Sequence, residues 1–202
     1  MSALSISVEA AQAKKEQILQ GALKIFFQQG YEGTSMDRVA IAAGVSKITI
    51  YKHFQNKQDL FEVLVKWVTS ARFESAFEAL SVEQPPKVVL RQVAKKLLSI
   101  LADDDEYLAF LRLIIGESGR FPDLAQLFVK SLPQTVWIVL RDYLKAQPTL
   151  RCEHPEAAAR IFMGSLISHV LTQKLLYGEA IAPMDDAVLI DALVALMISP
   201  EA

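Results

Sequence analysis

Apolar residues recur at helical spacing along nearly the whole chain, and this periodicity restricts the fold more than any other sequence feature. The first segment places four of them on one helical stripe: Ile18, Ala22, Ile25 and Phe26. Gly30 follows as the expected helix stop. No segment shows the alternation of apolar and polar residues that is typical of a strand. The sequence therefore predicts an all-α protein.

The breaks in this periodicity give the expected helices and domains. Helices are expected at about residues 13–29, 34 or 35–43, 47–54, 57–80, 87–102, 105–118, 123–146, 155–178 and 185–199. Pro133 either kinks the 123–146 segment or begins a second helix within it. We expect a flexible tail over residues 1–12, a three-helix unit over 13–58 and a larger helical domain over 59–202.

Composition excludes several classes of protein. Of the 202 residues, 52% are hydrophobic and 22% charged, which is enough apolar material for a folded core. No apolar stretch reaches the roughly 18 residues that span a bilayer. The start of the chain lacks the basic residues of a secretory signal, and the single Cys152 excludes an internal disulfide. The expected compartment is the cytoplasm.

Charge is distributed unevenly along the chain. The formal net charge is −2, but residues 14–66 contain eight basic and five acidic side chains. A mildly basic front end is thus joined to an acidic remainder, so an interaction with a polyanion is expected only at the front.

The segment from Gly30 to Phe61 has the pattern of a helix-turn-helix. Thr34 and Asp37 form a start similar to a capping box, and Gly44 makes a tight turn. Ser46 is placed to cap the next helix through its hydroxyl. Two short helices around a glycine-containing turn are typical of this motif.

The helix after this turn has two different faces. Ile50 and Phe54 are four residues apart and are expected to point inward. The opposite face carries Lys47, Ile48, Tyr51 and Lys52, with Thr49 and His53 beside it. Lysines can meet phosphate or guanine and an isoleucine can touch a thymine methyl, which favours DNA as the partner. The alternative is a packed helical hairpin whose lysines are merely solvated.

These residues resemble the DNA-binding domain of the TetR/AcrR family of bacterial transcriptional regulators. The matching positions are Thr34-Ser35, Ala43-Gly44-Val45-Ser46, Tyr51, Phe54 and Lys57, although many relatives have glycine where this chain has Ile48. The resemblance implies that Thr34 or Ser35, Tyr51 and Lys57 hold phosphates. The full set of expected DNA-binding residues is Thr34, Ser35, Ser46, Lys47, Ile48, Thr49, Tyr51, Lys52, His53 and Lys57.

The larger domain carries a second resemblance. Residues 112–128 are similar to the C-terminal domain of AefR-like members of the same family. That resemblance implies a dimerisation domain with a small-molecule pocket. Pocket candidates are Trp67, Phe73, Phe77, Phe110, Trp137, Met163, His169 and Gln173. The alternative for each of them is an ordinary core position.

The last two helices favour a dimer. Helices that are apolar on more than one side need more than one packing partner, and a second subunit would supply it. The expected interface residues are Ala158, Ile161, Phe162, Ser165, Leu166, Leu189, Leu193 and Leu196. The alternative is that they form the core of a monomer.

Enzymatic and metal sites have little support in the sequence. The histidines at 53, 154 and 169 are far apart, and no glycine-rich phosphate loop occurs. The acidic run 103–106 suggests either a cation site or a helix cap, with the cap favoured. The adjacent Cys152, Glu153 and His154 lack a fourth metal ligand. We therefore predict no enzyme activity, no cofactor and no metal.

The sequence as a whole predicts a regulator of transcription, a repressor by resemblance, that binds a palindromic DNA operator as a homodimer. Its effector is expected to be an apolar or amphipathic small molecule, and no membrane partner is expected. The alternative is an α-helical enzyme or adaptor whose N-terminal unit makes protein contacts.

Overall fold

The computed structural model describes residues 3–77, 80–147, 150 and 152–198. Within these ranges the chain forms α-helices and no strand, as predicted. The helices are α1 (Ala3–Gly33), α2 (Met36–Ala42), α3 (Lys47–His53), α4 (Lys57–Phe77), α5 (Pro86–Ala102), α6 (Asp105–Glu117), α7 (Pro122–Ser131), α8 (Pro133–Ala146), α9 (Pro155–Val170) and α10 (Asp186–Met197).

The chain forms two compact units whose division differs from the predicted one. The first unit contains residues 1–68 together with 113–128, and the second contains 69–112 and 129–202. The predicted boundary at residue 58 lies at the start of α4, whose Leu60, Phe61 and Leu64 are buried. A buried helix start has to stay with the core that covers it, so the first unit extends beyond residue 58.

The first unit is built around α1 and the aromatic rings that pack on it. Phe26 is fully buried, and its ring lies edge-on to that of Phe61 at a centroid distance of 5.1 Å. Residues 3–12 were expected to be a flexible tail, but they extend α1, and residues 1–2 lie outside the described part. Gly30 interrupts the helical geometry with φ 67° and ψ −178°, which agrees with its predicted role as a stop.

The second unit packs its helices around α5 and α9. α5 buries one face, formed by Val89, Leu90, Val93, Ala94, Leu97, Leu98 and Leu101. α9 packs against α8 and α5, and α10 packs against α5.

Proline and glycine decide where helices end in the later part of the chain. α7 ends at Ser131 and Pro133 begins α8, so the proline starts a second helix, where its missing N–H costs nothing. The helix expected over 155–178 instead ends at Val170, followed by a π-helical turn over 171–175. A Cβ on Gly178 would lie 2.5 Å from the Thr172 carbonyl oxygen, so the chain can close this turn only with glycine there. The last predicted helix position, residue 199, lies outside the described residues.

None of the helices in the described part of the chain combines the length and the apolar character that crossing a membrane requires.

Candidate nucleic-acid interface

α2 begins at a serine cap that lies one residue later than predicted. Ser35 Oγ accepts a hydrogen bond from the Arg38 backbone N–H at 3.3 Å. Thr34 is 3% exposed, and its hydroxyl donates to the Gly30 carbonyl oxygen at 2.7 Å. The predicted Thr34–Asp37 capping box is therefore wrong. Of the two residues expected near phosphate, Ser35 is exposed and Thr34 is interior.

The turn between α2 and α3 is fixed by its own backbone conformation and by contacts from α1. Gly44 has φ 63°, in the left-handed region that favours glycine, and its N–H donates to the Ile41 carbonyl oxygen at 3.0 Å. The Ala43 carbonyl oxygen accepts a 2.6 Å hydrogen bond from Gln17 Nε2 on α1. A Cβ on Gly21 would lie 2.7 Å from the Ala43 Cβ, so α1 approaches the turn closely. The sequence analysis missed both Gln17 and Gly21, because neither belongs to the helix-turn-helix pattern.

Ser46 caps α3 as predicted. Its Oγ accepts from the Thr49 N–H at 3.1 Å and lies 2.8 Å from the Thr49 hydroxyl oxygen. The cap satisfies one of the N–H groups that the first turn of a helix leaves without an acceptor. α3 therefore starts at a defined residue, which sets the rotation of all its side chains.

The two faces of α3 are those predicted. Ile50 is fully buried and Phe54 is 1% exposed, so they anchor the helix to the first unit. Ile48 is 72% and Tyr51 47% exposed. Lys47 and Lys52 are also exposed, whereas Thr49 and His53 are half-buried at the edges of this face.

Lys47 is paired within the protein. Its Nζ lies 2.9 Å from a carboxylate oxygen of Asp37, and this hydrogen bond raises the pKa of Lys47. The ammonium is therefore charged at neutral pH, and a phosphate or guanine must compete with Asp37 for it.

Lys57, which is expected to hold a phosphate, has partners within the first unit. Its ammonium donates to the carbonyl oxygens of Tyr31 at 2.8 Å and Glu32 at 3.2 Å, and it lies 4.5 Å from the centre of the Tyr31 ring. Burial lowers the pKa of Lys57, while the carboxylates of Glu32 and Glu117 act in the opposite direction. The side chain thus binds the last turn of α1, which follows Gly30, rather than extending freely toward solvent.

The start of α4 carries a cap that the sequence analysis missed. Asn56 Oδ1 accepts from the Asp59 N–H at 2.9 Å, and Asp59 Oδ2 accepts from the Gln55 N–H at 2.8 Å. The signal was present as Asn followed three residues later by Asp, a variant of the capping box. The remaining N–H groups of this first turn have no acceptor within the helix, which makes the start of α4 favourable for an anion.

Two family models match the sequence. Residues 18–64 match the bacterial regulatory proteins of the tetR family, and residues 88–199 match the C-terminal domain of AefR-like transcriptional repressors. The second match alone covers more than half of the chain. The chain belongs to the TetR family. Both resemblances noted in the sequence are thereby confirmed.

Individual TetR-family proteins are similar over different lengths. The chain is 33% identical over 123 residues to the HTH-type transcriptional regulator AcrR of Shigella flexneri, a match that covers 58% of this chain and 55% of AcrR. This chain thus spans about half the length of that relative. A solved TetR-family regulator from Mesorhizobium loti has a TM-score of 0.76 and 27% identity, with coverage of 93% of this chain and 96% of the other. The flavonoid-responsive regulator FrrA has a TM-score of 0.68 and 31% identity, covering 91% and 92%.

The family consists of transcriptional regulators, not enzymes, which agrees with the sequence prediction. Among the described residues no group of three or more histidine, cysteine, aspartate or glutamate side chains could hold a metal ion. In the acidic run 103–106, Asp104 Oδ1 accepts a hydrogen bond from the Tyr107 N–H at 2.9 Å. This contact agrees with a helix cap, the interpretation favoured over a cation site.

The predicted pocket residues of this TetR-family protein are dispersed. Trp67 belongs to the first unit and the other seven belong to the second. Phe73 and Phe110 are buried, and their ring centroids lie 5.5 and 6.4 Å from that of Tyr107. Trp137 is half-buried and carries the Arg160 guanidinium 4.3 Å from its ring centre.

The remaining predicted pocket residues have individual environments. Phe77 is half-buried near the end of α4, and Met163 is 3% exposed in α9. His169 Nε2 lies 2.7 Å from Asp186 Oδ1, so this histidine has a polar partner within the unit. Gln173 lines a cavity of about 670 Å³ in the second unit. The other residues around this cavity are Ala102, Asp105, Leu108, Arg112, Lys174, Tyr177, Glu179 and Ala180.

The predicted dimer residues divide into core and surface. Phe162 and Leu166 are fully buried and Leu193 is 4% exposed, so these three pack inside the protomer and the interface prediction is wrong for them. Ile161 is 62% and Leu196 85% exposed. Three others are half-buried: Ala158, Ser165 and Leu189. Helical spacing indicated the apolar stripe, but not how wide a part of it the protomer itself covers.

Proposed function

We propose that this protein is a cytoplasmic transcriptional repressor that binds a palindromic operator as a homodimer and releases it when a small molecule binds. The observation that supports DNA binding best is the outward face of α3. Ile48 is largely exposed between lysines, while Ile50 and Phe54 anchor the helix from behind. A rigid helix that presents lysine, isoleucine and tyrosine to solvent has the chemistry that reads a major groove.

Each exposed group of the first unit matches a different part of DNA. Ile48 can contact a thymine methyl, and Lys47 and Lys52 can reach guanine or phosphate. Ser35 and the first turn of α4 offer a hydroxyl and backbone N–H groups to phosphates beside the groove. The binding energy would come mostly from phosphates, and the choice of sequence from the α3 face.

A dimer is supported by the exposed apolar side chains of α9 and α10. Ile161, Val188 and Leu196 are 62%, 59% and 85% exposed. A Cβ on Gly164 of α9 would meet no described atom within 4 Å, so a second helix could approach there. A twofold partner would cover such surface and set the spacing of two recognition helices, which requires two half-sites about one turn of DNA, or a multiple of it, apart.

The cavity beside Gln173 is the proposed effector site. Gln173 is 8% exposed, its Nε2 donates to the Ala182 carbonyl oxygen at 3.0 Å, and its Oε1 is buried without a described partner. Arg112 and Lys174 at this cavity are balanced by Asp105 and Glu179, with Glu179 Oε2 2.9 Å from Lys174 Nζ, and Tyr177 adds an aromatic ring. An amphipathic molecule with a hydrogen-bond donor and an aromatic part suits these groups, and FrrA is described as flavonoid-responsive. It would act by binding more tightly to the state that does not fit the operator.

Footprinting of the DNA beside the gene that encodes this protein tests the proposal. It is followed by measurement of the affinity for the protected duplex over a series of salt concentrations. We expect a symmetric protected sequence and an affinity that falls with salt, with a log–log slope of about −0.9 for each phosphate neutralised. Absence of any affinity for duplex DNA at low salt would contradict DNA binding and favour an adaptor that contacts proteins.

A further inference from the structure

We propose that Glu117, the last residue of α6, is a positioning residue for DNA binding. It lies outside the helix-turn-helix sequence, but it belongs to the same compact unit. The inference rests on the proposed function, because it assumes that the first unit binds DNA. It assigns to residues 113–128 a role in holding the DNA-binding surface in shape.

The contact on which this inference depends is a hydrogen bond across 86 residues of sequence. Glu117 Oε1 accepts from the Tyr31 backbone N–H at 2.9 Å, in a partly buried position. Gly30 comes directly before this N–H, and a Cβ at Gly30 would overlap Glu117 Oε1. The missing side chain of Gly30 therefore makes room for the carboxylate, and the two residues fit one another.

Neighbouring residues reinforce the same contact. The Phe121 ring lies 5.0 Å from that of Tyr31, and Arg120 forms an ion pair with Glu32. Three side chains from one short segment thus hold the last turn of α1, which follows Gly30 and leads into α2.

This turn positions two groups that are proposed to face phosphate. The Tyr31 carbonyl oxygen accepts both from the Thr34 N–H at 3.3 Å and from Lys57 Nζ at 2.8 Å. Ser35, the α2 cap, follows Thr34 directly, and Lys57 is the first residue of α4. A shift of Tyr31 would therefore move the Ser35 hydroxyl and the amino end of α4 together.

The sign of the effect separates positioning from simple electrostatics. Removing a negative charge from a DNA-binding unit should strengthen its attraction to phosphate. If Glu117 instead positions the turn, its loss should weaken DNA binding despite the more favourable charge.

The experiment measures fluorescence anisotropy of the full chain with a labelled mixed-sequence duplex over a salt series. For Glu117→Ala we expect affinity about tenfold lower, the ratio that corresponds to losing one hydrogen bond to a charged group. The log–log salt slope should become less steep by about 0.9, one phosphate contact. Glu117→Gln retains an acceptor for Tyr31, so its affinity and slope should stay close to those of the unmodified protein.

Glu16→Gln is the matched control, because Glu16 is an exposed acid of α1 that accepts a 3.2 Å hydrogen bond from Gln12 on the same helix. It should leave the slope unchanged and the affinity equal or slightly higher. Circular dichroism checks folding. If Glu117→Ala does not fold, Phe121→Ala replaces it, and a less steep slope is again expected.

Affinity and slope of Glu117→Ala equal to those of the unmodified protein, or tighter binding, would overturn the inference. For Phe121→Ala, an unchanged slope would do the same. Failure of the unmodified protein to bind any duplex would contradict the proposed function itself, so the two outcomes remain distinct.

Discussion

The outward side chains of α3 differ in the information they can take from DNA. Ile48 has no charge, so it can contribute through contact with apolar groups such as the thymine methyl. Tyr51 carries a hydroxyl at the end of an exposed ring, and a hydroxyl can bind any phosphate. Lys47 is held by Asp37 until DNA competes for it. Sequence preference should therefore depend on Ile48 more than on its neighbours.

Substitutions of Ile48 and Tyr51 should separate the preference for a DNA sequence from the overall affinity for DNA. Ile48→Ala should change which bases are selected at one position of each half-site. The discrimination between the right and the wrong base there should fall by about 1–3 kcal/mol. Tyr51→Ala should weaken binding to all sequences by a similar factor. Selection from a random duplex library measures both. Identical base preferences in the two variants would contradict this division of roles.

At the scale of elements, the ends of helices are fixed by single residues. Ser35 and Ser46 cap α2 and α3, Pro133 begins α8, and Gly30 interrupts α1. Sequence rules located most of these ends, since caps and breakers act over three or four residues. The cap of α2 lies one residue later than predicted because Thr34 is buried, and its burial depends on the rest of the fold.

Two glycines of the first unit should respond in opposite directions to the same substitution. Gly30→Ala places a Cβ at φ 67° and against Glu117, so it should lower the free energy of unfolding by about 1–3 kcal/mol. Gly116→Ala is the control, because its Cβ would meet no described atom within 4 Å and it lies within α6. It should raise stability by about 0.5–1 kcal/mol. Urea unfolding measures both, and equal effects would show that Gly30 is not constrained.

At the scale of the whole molecule, sequence distance is a poor guide to which residues form one unit. Residues 113–128 fall within the segment that matches the AefR-like C-terminal domain, yet they form one compact unit with the helix-turn-helix. A match to a domain follows the order of the chain, whereas a compact unit follows contacts. The proposed dimer and effector site both belong to the second unit.

The dimer is tested by charging its exposed apolar side chains. Ile161→Arg combined with Leu196→Arg should give a monomer in sedimentation velocity and weaken operator binding, because two half-sites are then bound separately. Val82→Arg adds a charge at a residue that is 60% exposed in the same unit and should leave the dimer intact. A dimer that persists in the double variant would place the interface elsewhere.

The effector site is tested with flavonoids as the first probes. A bound flavonoid at 100 times its dissociation constant should stabilise the protein by about 2.7 kcal/mol and weaken operator binding. Gln173→Ala and Arg112→Ala should reduce flavonoid affinity in titration calorimetry without changing DNA affinity. Trp137→Phe is the control, since Trp137 is not among the residues lining this cavity. Equal flavonoid affinity in all variants would exclude this cavity.

Much of the candidate site could be predicted from sequence alone. The two faces of α3, its Ser46 cap and the Gly44 turn follow from local rules, because each depends on residues within one or two helical turns. The role of Glu117 could not be found in this way, since its partner Tyr31 is 86 residues distant. The same limit applies to the contacts of Lys57, whose ammonium binds the carbonyl oxygen of Tyr31 in the last turn of α1, 26 residues earlier in the chain.

The sequence by itself determined that this chain is helical, which segments form most of its helices, and which family it resembles. These properties arise from periodicity, caps and motifs that act locally. Tertiary structure alone decided which apolar residues stay exposed: Phe162 is buried and Ile161, next to it, is 62% exposed. It also decided that residues 113–128 join the DNA-binding unit. The physical reason is that burial and long-range hydrogen bonds depend on which segments meet, and helical periodicity specifies only the face that each segment offers.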